Sequence, residues 1–175
     1  MRPEERWWLL IAGITLSEWY LNRLNAPTAW TQRVIPSFRN VARAICRVAF
    51  TNGVGSGGIV LTLRFAIPDG QHDGTVDALR RCRLPPLLYR VGVTGVHLLL
   101  ADDAASRVET AERRTRGNAT DVPAWIVLVE GIGVPEVDAA ADDLAPALGA
   151  HGAAGVDRAI YRLEATRLKT PWAAG

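Results

Sequence analysis

Two hydrophobic patterns follow one another along this chain: short continuous apolar runs, and apolar residues repeated at helical spacing. The runs are apolar, and several are rich in β-branched residues, which is typical of buried strands. We predict strands at 7–14, 38–50, 59–67, 93–101, 122–132 and 156–165. Helices are predicted between them, over 15–27, from Asp73 or Thr75 to Leu84, over 103–116 and over 135–148.

Capping and breaking residues mark several helix boundaries. Thr15 stands three residues before Glu18, which is the spacing of a capping box, and Pro27 should end the helix that begins there. Pro135 suits a first helical position and is followed by Glu136 near the positive helix end. Opposite charges four residues apart favour an exposed helix in the middle of the chain: Asp103–Arg107, Glu109–Arg113 and Glu112–Arg116.

A glycine-rich segment at 51–58 separates the second and third predicted strands. Gly53, Gly55 and Gly58 have the spacing of a dinucleotide-binding loop. That chemistry needs a helix N-terminus directly afterwards, to present N–H groups to a pyrophosphate. Because the strand 59–67 follows instead, we interpret the segment as a hairpin loop rather than a phosphate site.

The order of the elements predicts an α+β fold. Helices stand between groups of strands rather than after each strand, which favours a mainly antiparallel sheet with helices on one face. With 175 residues and 19.0 kDa, the chain can bury an independent core. We expect a single domain over 1–165, followed by a loose C-terminal tail at 166–175.

Charge and cysteine usage exclude several classes of protein. The 20 Lys and Arg nearly balance the 18 Asp and Glu, so the net charge of +2 gives no case for a nucleic-acid partner. Lys169 is the only lysine, which we ascribe to a GC-rich genome rather than to selection for anion binding. Cys46 and Cys82 lack the spacing of a zinc or redox site, so we expect reduced, buried thiols in a cytoplasmic protein.

The N-terminal apolar run does not predict a membrane partner. Trp7 to Ile14 is much shorter than the roughly 20 residues of a membrane-spanning helix. It also lacks the small residues of a signal-peptide cleavage site. We therefore expect neither a signal peptide nor a membrane span.

His97 is the best single candidate for proton transfer, because imidazole has an unperturbed pKa of about 6.5. Strand alternation places it on the face of Val93, Gly95 and Leu99, opposite the aliphatic side chains of Val96, Leu98 and Leu100. The aliphatic face should pack against helices, so His97 should face a barrel interior or a cavity. A core histidine bonded to the main chain remains the alternative.

Further polar and aromatic residues are candidates for substrate contacts. Arg43 on the strand 38–50 suits a substrate carboxylate or phenolate, and an ion pair with Glu130 or Glu164 is the alternative that we favour. Four aromatic residues could form the walls of a pocket for a planar ligand, although we favour the alternative that they pack in the core: Trp19, Tyr20, Trp30 and Trp125. The histidines show no metal-ligating spacing, and no Gly-x-Ser-x-Gly motif is present.

One stretch resembles a known family. Glu18-Trp19-Tyr20 through Asn25-Ala26-Pro27, followed by Ile35-Pro36-Ser37-Phe38 and the arginines of 39–47, is similar to the EthD-like branch of the dimeric α+β barrel superfamily. Asn25 stands where that pattern has histidine, so the histidine's role is not carried over. The resemblance implies ferredoxin-like tandem halves, about 5–92 and 93–165, that close a barrel within one chain or in a homodimer. It also implies small-molecule cavities between sheet and helices.

Together these observations predict a cofactor-independent enzyme that acts on a small apolar or aromatic substrate by acid–base catalysis. It would be an isomerase, a cyclase or lyase, or a monooxygenase. In this hypothesis His97 transfers the proton, Tyr20 and Asn25 orient the substrate, and Arg43 offsets developing negative charge. Trp19, Trp30 and Trp125 would bind the substrate. The alternatives are a non-catalytic ligand-binding or dimerisation module and a haem-binding enzyme with His97 or His151 on the iron.

Overall fold

The chain forms an antiparallel sheet with helices packed on one face. A computed structural model describes residues 18–37, 44–55, 57–107, 111 and 123–164. The strands in these ranges are β1 (Cys46–Gly53), β2 (Ile59–Ala66), β3 (Val93–Ala101), β4 (Trp125–Gly131) and β5 (Ala154–Arg162). They form one sheet in the order β1-β3-β4-β2-β5, and all neighbouring strands are antiparallel.

Helices connect the strands of this sheet. The α-helices of the described ranges are α1 (Glu18–Asn25), α2 (Ala29–Val34), α3 (His72–Ala78), α4 (Asp103–Ser106) and α5 (Val134–Ala150). A π-helical turn at Leu79–Arg83 continues α3, and 3₁₀ turns occupy Ile35–Ser37 and Pro85–Tyr89. None of the helices in the described part of the chain is long and apolar enough to cross a membrane.

The strand order confirms the predicted fold class. From β2 to β5 the chain runs strand, helix, strand, strand, helix, strand, which is the ferredoxin-like split βαβ arrangement. β1 adds a further strand at the edge, beside β3. The predicted division into halves at about residue 92 depends in part on residues 1–17 and 38–43, which lie outside the described residues. It therefore stays a prediction.

The main core lies between the sheet and the helices α3 and α5. Alternate residues of each central strand point into it, so these strands supply apolar side chains at every second position. Its fully enclosed members include Leu61 of β2, Val96 and Leu98 of β3, Val127 of β4 and Val137 of α5. This side of the sheet is called the helix face below.

The opposite side of the sheet, called the second face below, is also buried at its centre. Leu99, Ile126 and Leu128 form a small apolar cluster there, and Thr62 beside it is fully buried. Because β2, β3 and β4 bury side chains on both faces, they read as continuous apolar runs rather than as alternating ones.

The predicted pairing of the second and third strands is wrong. The segment 51–58 does not form a hairpin, because β1 extends to Gly53 and is separated from β2 by both β3 and β4. The connection instead crosses the ends of β3 and β4, where the Val54 and Gly55 N–H groups donate to the Thr94 carbonyl at 2.9 and 3.0 Å. A local turn signal cannot reveal which strands pair, because the pairing is decided by tertiary contacts.

Val93 does not share the face of His97, as strict alternation predicted. The register shifts between Val93, which pairs with Gly131, and Gly95, which pairs with Glu130. Thr94 is the extra residue of this β-bulge, and it turns Val93 into the core on the helix face.

Other sequence predictions fall partly or wholly outside the described residues. The strand 7–14, the start of the helix at Thr15, residues 38–43 of the second strand and the tail 166–175 lie there. α1 ends at Asn25, before Pro27, as predicted. In the predicted helix 103–116, α4 covers Asp103–Ser106 and Ala111 is also helical, and the expected Asp103–Arg107 ion pair is present at 3.2 Å. Residues 108–110 and 112–116 are outside the description.

The two cysteines are both free, and neither is fully buried as predicted. Cys46 is half-buried and Cys82 is exposed, so the prediction of a buried Cys82 is wrong. Burial raises the pKa of the Cys46 thiol, so at any given pH near neutrality less of it is the reactive thiolate. We expect iodoacetamide at pH near 8 to alkylate Cys82 well before Cys46. Peptide mass spectrometry over time measures both, and faster labelling of Cys46 would contradict this expectation.

Candidate functional site

His97 lies near the middle of β3 on the second face, between hydrogen-bonding side chains of its two neighbouring strands. Thr51 is directly opposite on β1, and Glu130 on β4 pairs with Gly95, two residues away on the same face. His97 Nδ1 is 2.7 Å from Thr51 Oγ1, and His97 Nε2 is 3.2 Å from Glu130 Oε1. Three strands therefore bring a hydroxyl, an imidazole and a carboxylate into one hydrogen-bonded series.

The chemistry of these partners assigns the tautomer of the neutral ring. An ionised carboxylate only accepts hydrogen bonds, so Nε2 carries the proton and donates it to Glu130. Nδ1 then has a free lone pair and accepts from the Thr51 hydroxyl. Glu130 therefore orients the ring and leaves Nδ1 as its basic nitrogen.

Two glycines, Gly55 of the glycine-rich segment and Gly95 of β3, lie close to this pair. The His97 and Glu130 side chains are only 19% and 20% exposed. A Cβ atom at Gly95 would lie 3.1 Å from His97 Nε2, and a Cβ atom at Gly55 would lie 3.1 Å from Glu130 Oε2. Gly55 also has φ +69°, which favours glycine. The glycines therefore leave room for the imidazole and the carboxylate, and no helix follows them to hold a phosphate.

Sequence reasoning found His97 but missed its hydroxyl partner. Thr51 and His97 are 46 residues apart, and Glu130 is 33 residues from His97. Thr51 was assigned to a loop, and Glu130 was considered only as an ion-pair partner of Arg43. Both ring nitrogens of His97 form hydrogen bonds with side chains. The alternative of a core histidine bonded to the main chain therefore does not describe His97. No local pattern signals such a contact, because it depends on the register of β1 against β3.

The other predicted site residues are not brought to His97 by the described contacts. Trp125 is buried on the helix face, where it stacks on Phe65 with ring centroids 6.0 Å apart. Trp30 is 64% exposed. Asn25 is exposed, and its Oδ1 accepts a hydrogen bond from the Ala111 N–H at 3.2 Å. The side chains of Trp19 and Tyr20, and the whole of Arg43, lie outside the description.

A separate cleft of about 320 Å³ opens on the helix face, at the ends of the strands farthest from the glycine-rich segment. Its walls come from α3, from the start of β1 and β4 and from the end of β3, and His97 is not among them. Arg47, His72 and Asp73 supply polar groups, and Trp125 and Leu100 supply apolar ones. His72 packs edge-on against Trp125, with centroids 5.3 Å apart.

The described residues offer little to a metal or a haem iron. No group of three or more His, Cys, Asp or Glu side chains in the described ranges is placed to hold a metal ion. His97 does not fit as an iron ligand in its present position, because both ring nitrogens are hydrogen-bonded. His151, the other residue considered for haem, lies at the C-terminal cap of α5 and is half-exposed.

Comparisons with known proteins add no family assignment. No protein-family model matches the chain, and no curated protein is significantly similar to it. Among solved structures, the chain has a TM-score of 0.41 and 11% identity to LmHde, a heme-degrading enzyme from Listeria monocytogenes, over 76% of this chain and 92% of that one. A likeness this weak establishes neither a shared superfamily nor a shared activity.

Proposed function

We propose that the chain is an enzyme that transfers a proton on a small organic substrate, with His97 as its base. The proposal rests on the two hydrogen bonds that link Thr51 to His97 and His97 to Glu130. A base that is oriented by a carboxylate and bonded to a hydroxyl has the arrangement used to activate oxygen groups in enzymes.

The proposed step moves two protons. His97 Nδ1 takes the hydroxyl proton of Thr51 while Thr51 Oγ1 takes a proton from a substrate carbon. The C–H electron pair stays on the substrate, which becomes an anion, and the ring becomes an imidazolium. The Glu130 carboxylate at Nε2 stabilises that positive charge. Return of the proton to the same or another carbon restores Thr51 and neutral His97, which is the chemistry of an isomerase.

Features of the second face support a small apolar or aromatic carbon acid as the substrate. Thr51 is exposed, and its hydroxyl would be the group that meets the incoming molecule. Leu99, Ile126 and Leu128 are buried on the same face and make that side of the sheet apolar. The anion would need a cationic partner, and Arg43 remains the predicted one, with Tyr20 and Asn25 as predicted orienting groups. Trp125 has no part in this step, because it is on the other face.

Hydrogen–deuterium exchange tests this chemistry directly, because it detects the proton transfer itself and requires no identified product. Small ketones, esters and arylacetates with an acidic C–H next to a carbonyl are incubated with the protein in D₂O. Loss of the C–H signal is then followed by ¹H NMR. We expect at least one compound to exchange, and His97→Gln to slow that exchange about 100-fold or more. Thr51→Val keeps the shape of the side chain and should slow it by a similar factor.

A surface histidine supplies the matched control. His151→Gln should exchange at the wild-type rate, since His151 lies at the end of α5 and has no role in the step. If no compound exchanges faster with the wild type than with His97→Gln, the proposal is wrong. The alternative of a non-catalytic binding module would then be the hypothesis to pursue. A homodimer, which the family resemblance implies, remains a separate proposal to be checked by sizing the protein in solution.

A further inference from the structure

We propose that the cleft between α3 and the start of β1 binds a small zwitterion of the amino-acid class, with an apolar or aromatic side group. This site is independent of the proton transfer proposed at His97, because it lies on the opposite face of the sheet. The inference rests on the charges, the hydrogen-bonding groups and the size of the cleft.

The lining of the cleft includes one cation and one anion that form no ion pair with a described residue. Arg47 at the start of β1 and Asp73 in α3 both line it, and neither has an ion pair among the described residues. Asp103, the other acidic residue of the wall, is already paired with Arg107 at 3.2 Å. A guanidinium binds a carboxylate with two parallel hydrogen bonds, and a carboxylate accepts hydrogen bonds from an ammonium group.

His72 also lines the cleft and supplies a hydrogen-bond acceptor. Its Nε2 lies 3.0 Å from the carbonyl oxygen of Ile67, which only accepts, so Nε2 carries the proton of the neutral ring. Nδ1 therefore keeps its lone pair for a donor such as an ammonium group. The contact with Trp125 and the hydrogen bond to Ile67 hold the ring in this orientation.

The remaining walls and the volume limit the rest of the ligand. Val76, Leu100 and Trp125 give the cleft an apolar portion beside its charged groups. Its volume of about 320 Å³ is at the lower end of ordinary ligand pockets, which span roughly 300–1,000 Å³. A molecule with a carboxylate, an ammonium and one apolar side group matches all three features. A simple anion would be repelled by the Asp73 carboxylate, and a simple ammonium ion would be repelled by the Arg47 guanidinium.

Calorimetric titration of the full chain with three matched compounds tests the charge requirement. L-phenylalanine carries both charges, 3-phenylpropionate only the carboxylate, and 2-phenylethylamine only the ammonium. We expect L-phenylalanine to bind, and each singly charged compound to bind about tenfold more weakly or not at all, because a charge-assisted hydrogen bond is lost. Equal affinity for all three, or no binding of L-phenylalanine at concentrations up to about 10 mM, would overturn the proposal.

Variants then locate the site. Arg47→Gln and Asp73→Asn should each weaken binding of L-phenylalanine about tenfold or more. Arg81→Gln is the control, because Arg81 is an exposed arginine of the π-helical turn that pairs with Asp77 and is not part of the wall. Binding that is unchanged in both cleft variants would refute the assignment. His97→Gln should bind L-phenylalanine as tightly as the wild type does. The binding test therefore remains valid even if the proton-transfer proposal is wrong.

Discussion

Replacing Trp125 by alanine is expected to lower the free energy of unfolding by about 3–5 kcal/mol. Trp125 is only 2% exposed at the start of β4, and its ring contacts those of Phe65 and His72. The substitution removes this packing and leaves a cavity that a surrounding sheet and helix can fill only in part. Urea denaturation followed by circular dichroism measures the change.

Trp30 provides a matched control of the same residue type. It is 64% exposed in α2, so Trp30→Ala should change the free energy of unfolding by no more than about 0.5 kcal/mol. Equal losses for the two substitutions would contradict the assignment of Trp125 to the core and of Trp30 to the surface. The comparison also separates two residues that sequence reasoning had grouped together as walls of one ligand site.

Replacing Gly53 by alanine should cost about 3 kcal/mol of stability, from backbone strain and overpacking together. Gly53 ends β1 with φ +109°, a conformation that residues with a side chain rarely adopt. An added Cβ would also collide with the Thr94 carbonyl oxygen and would lie only 2.6 Å from Gly95 Cα. Both obstacles are backbone atoms of β3, which cannot rotate away as a side chain can.

Gly58 in the same connection separates these two causes. Its φ is +84°, but an added Cβ would meet nothing within 4 Å. Gly58→Ala should therefore cost only the conformational part, about 1–2 kcal/mol, in the same denaturation experiment. A cost for Gly53→Ala no greater than that for Gly58→Ala would show that the close approach to β3 is unimportant.

Much of the fold could be predicted from local patterns. β3 was expected at 93–101 and is found at Val93–Ala101, and α5 extends the predicted 135–148 by only a few residues. These elements are long and strongly patterned, and their boundaries coincide with Gly and Pro residues. Their burial follows from the same alternation that predicted them.

Pairing and the site's geometry could not be predicted in this way. β1 was expected to pair with β2 because they are consecutive, but the sheet places β1 against β3. That choice alone brings Thr51 to His97. The bulge at Thr94, which changes the face of Val93, likewise has no signal in the alternation of apolar residues. His97 was singled out as a polar residue within an apolar strand, whereas its partners depend on long-range register.

The strand order also constrains how the chain acquires its structure on the ribosome. β1 pairs only with β3 in the described sheet, and β2 pairs with β4 and β5. When residues up to about Tyr89 have emerged, neither β1 nor β2 has any of these partners available. Pairing must wait for the second half of the chain, and such non-local topologies fold slowly, in roughly milliseconds to seconds. The apolar strand β2 would therefore lack its pairing partners during synthesis, which makes it a natural target for chaperones that shield nascent chains.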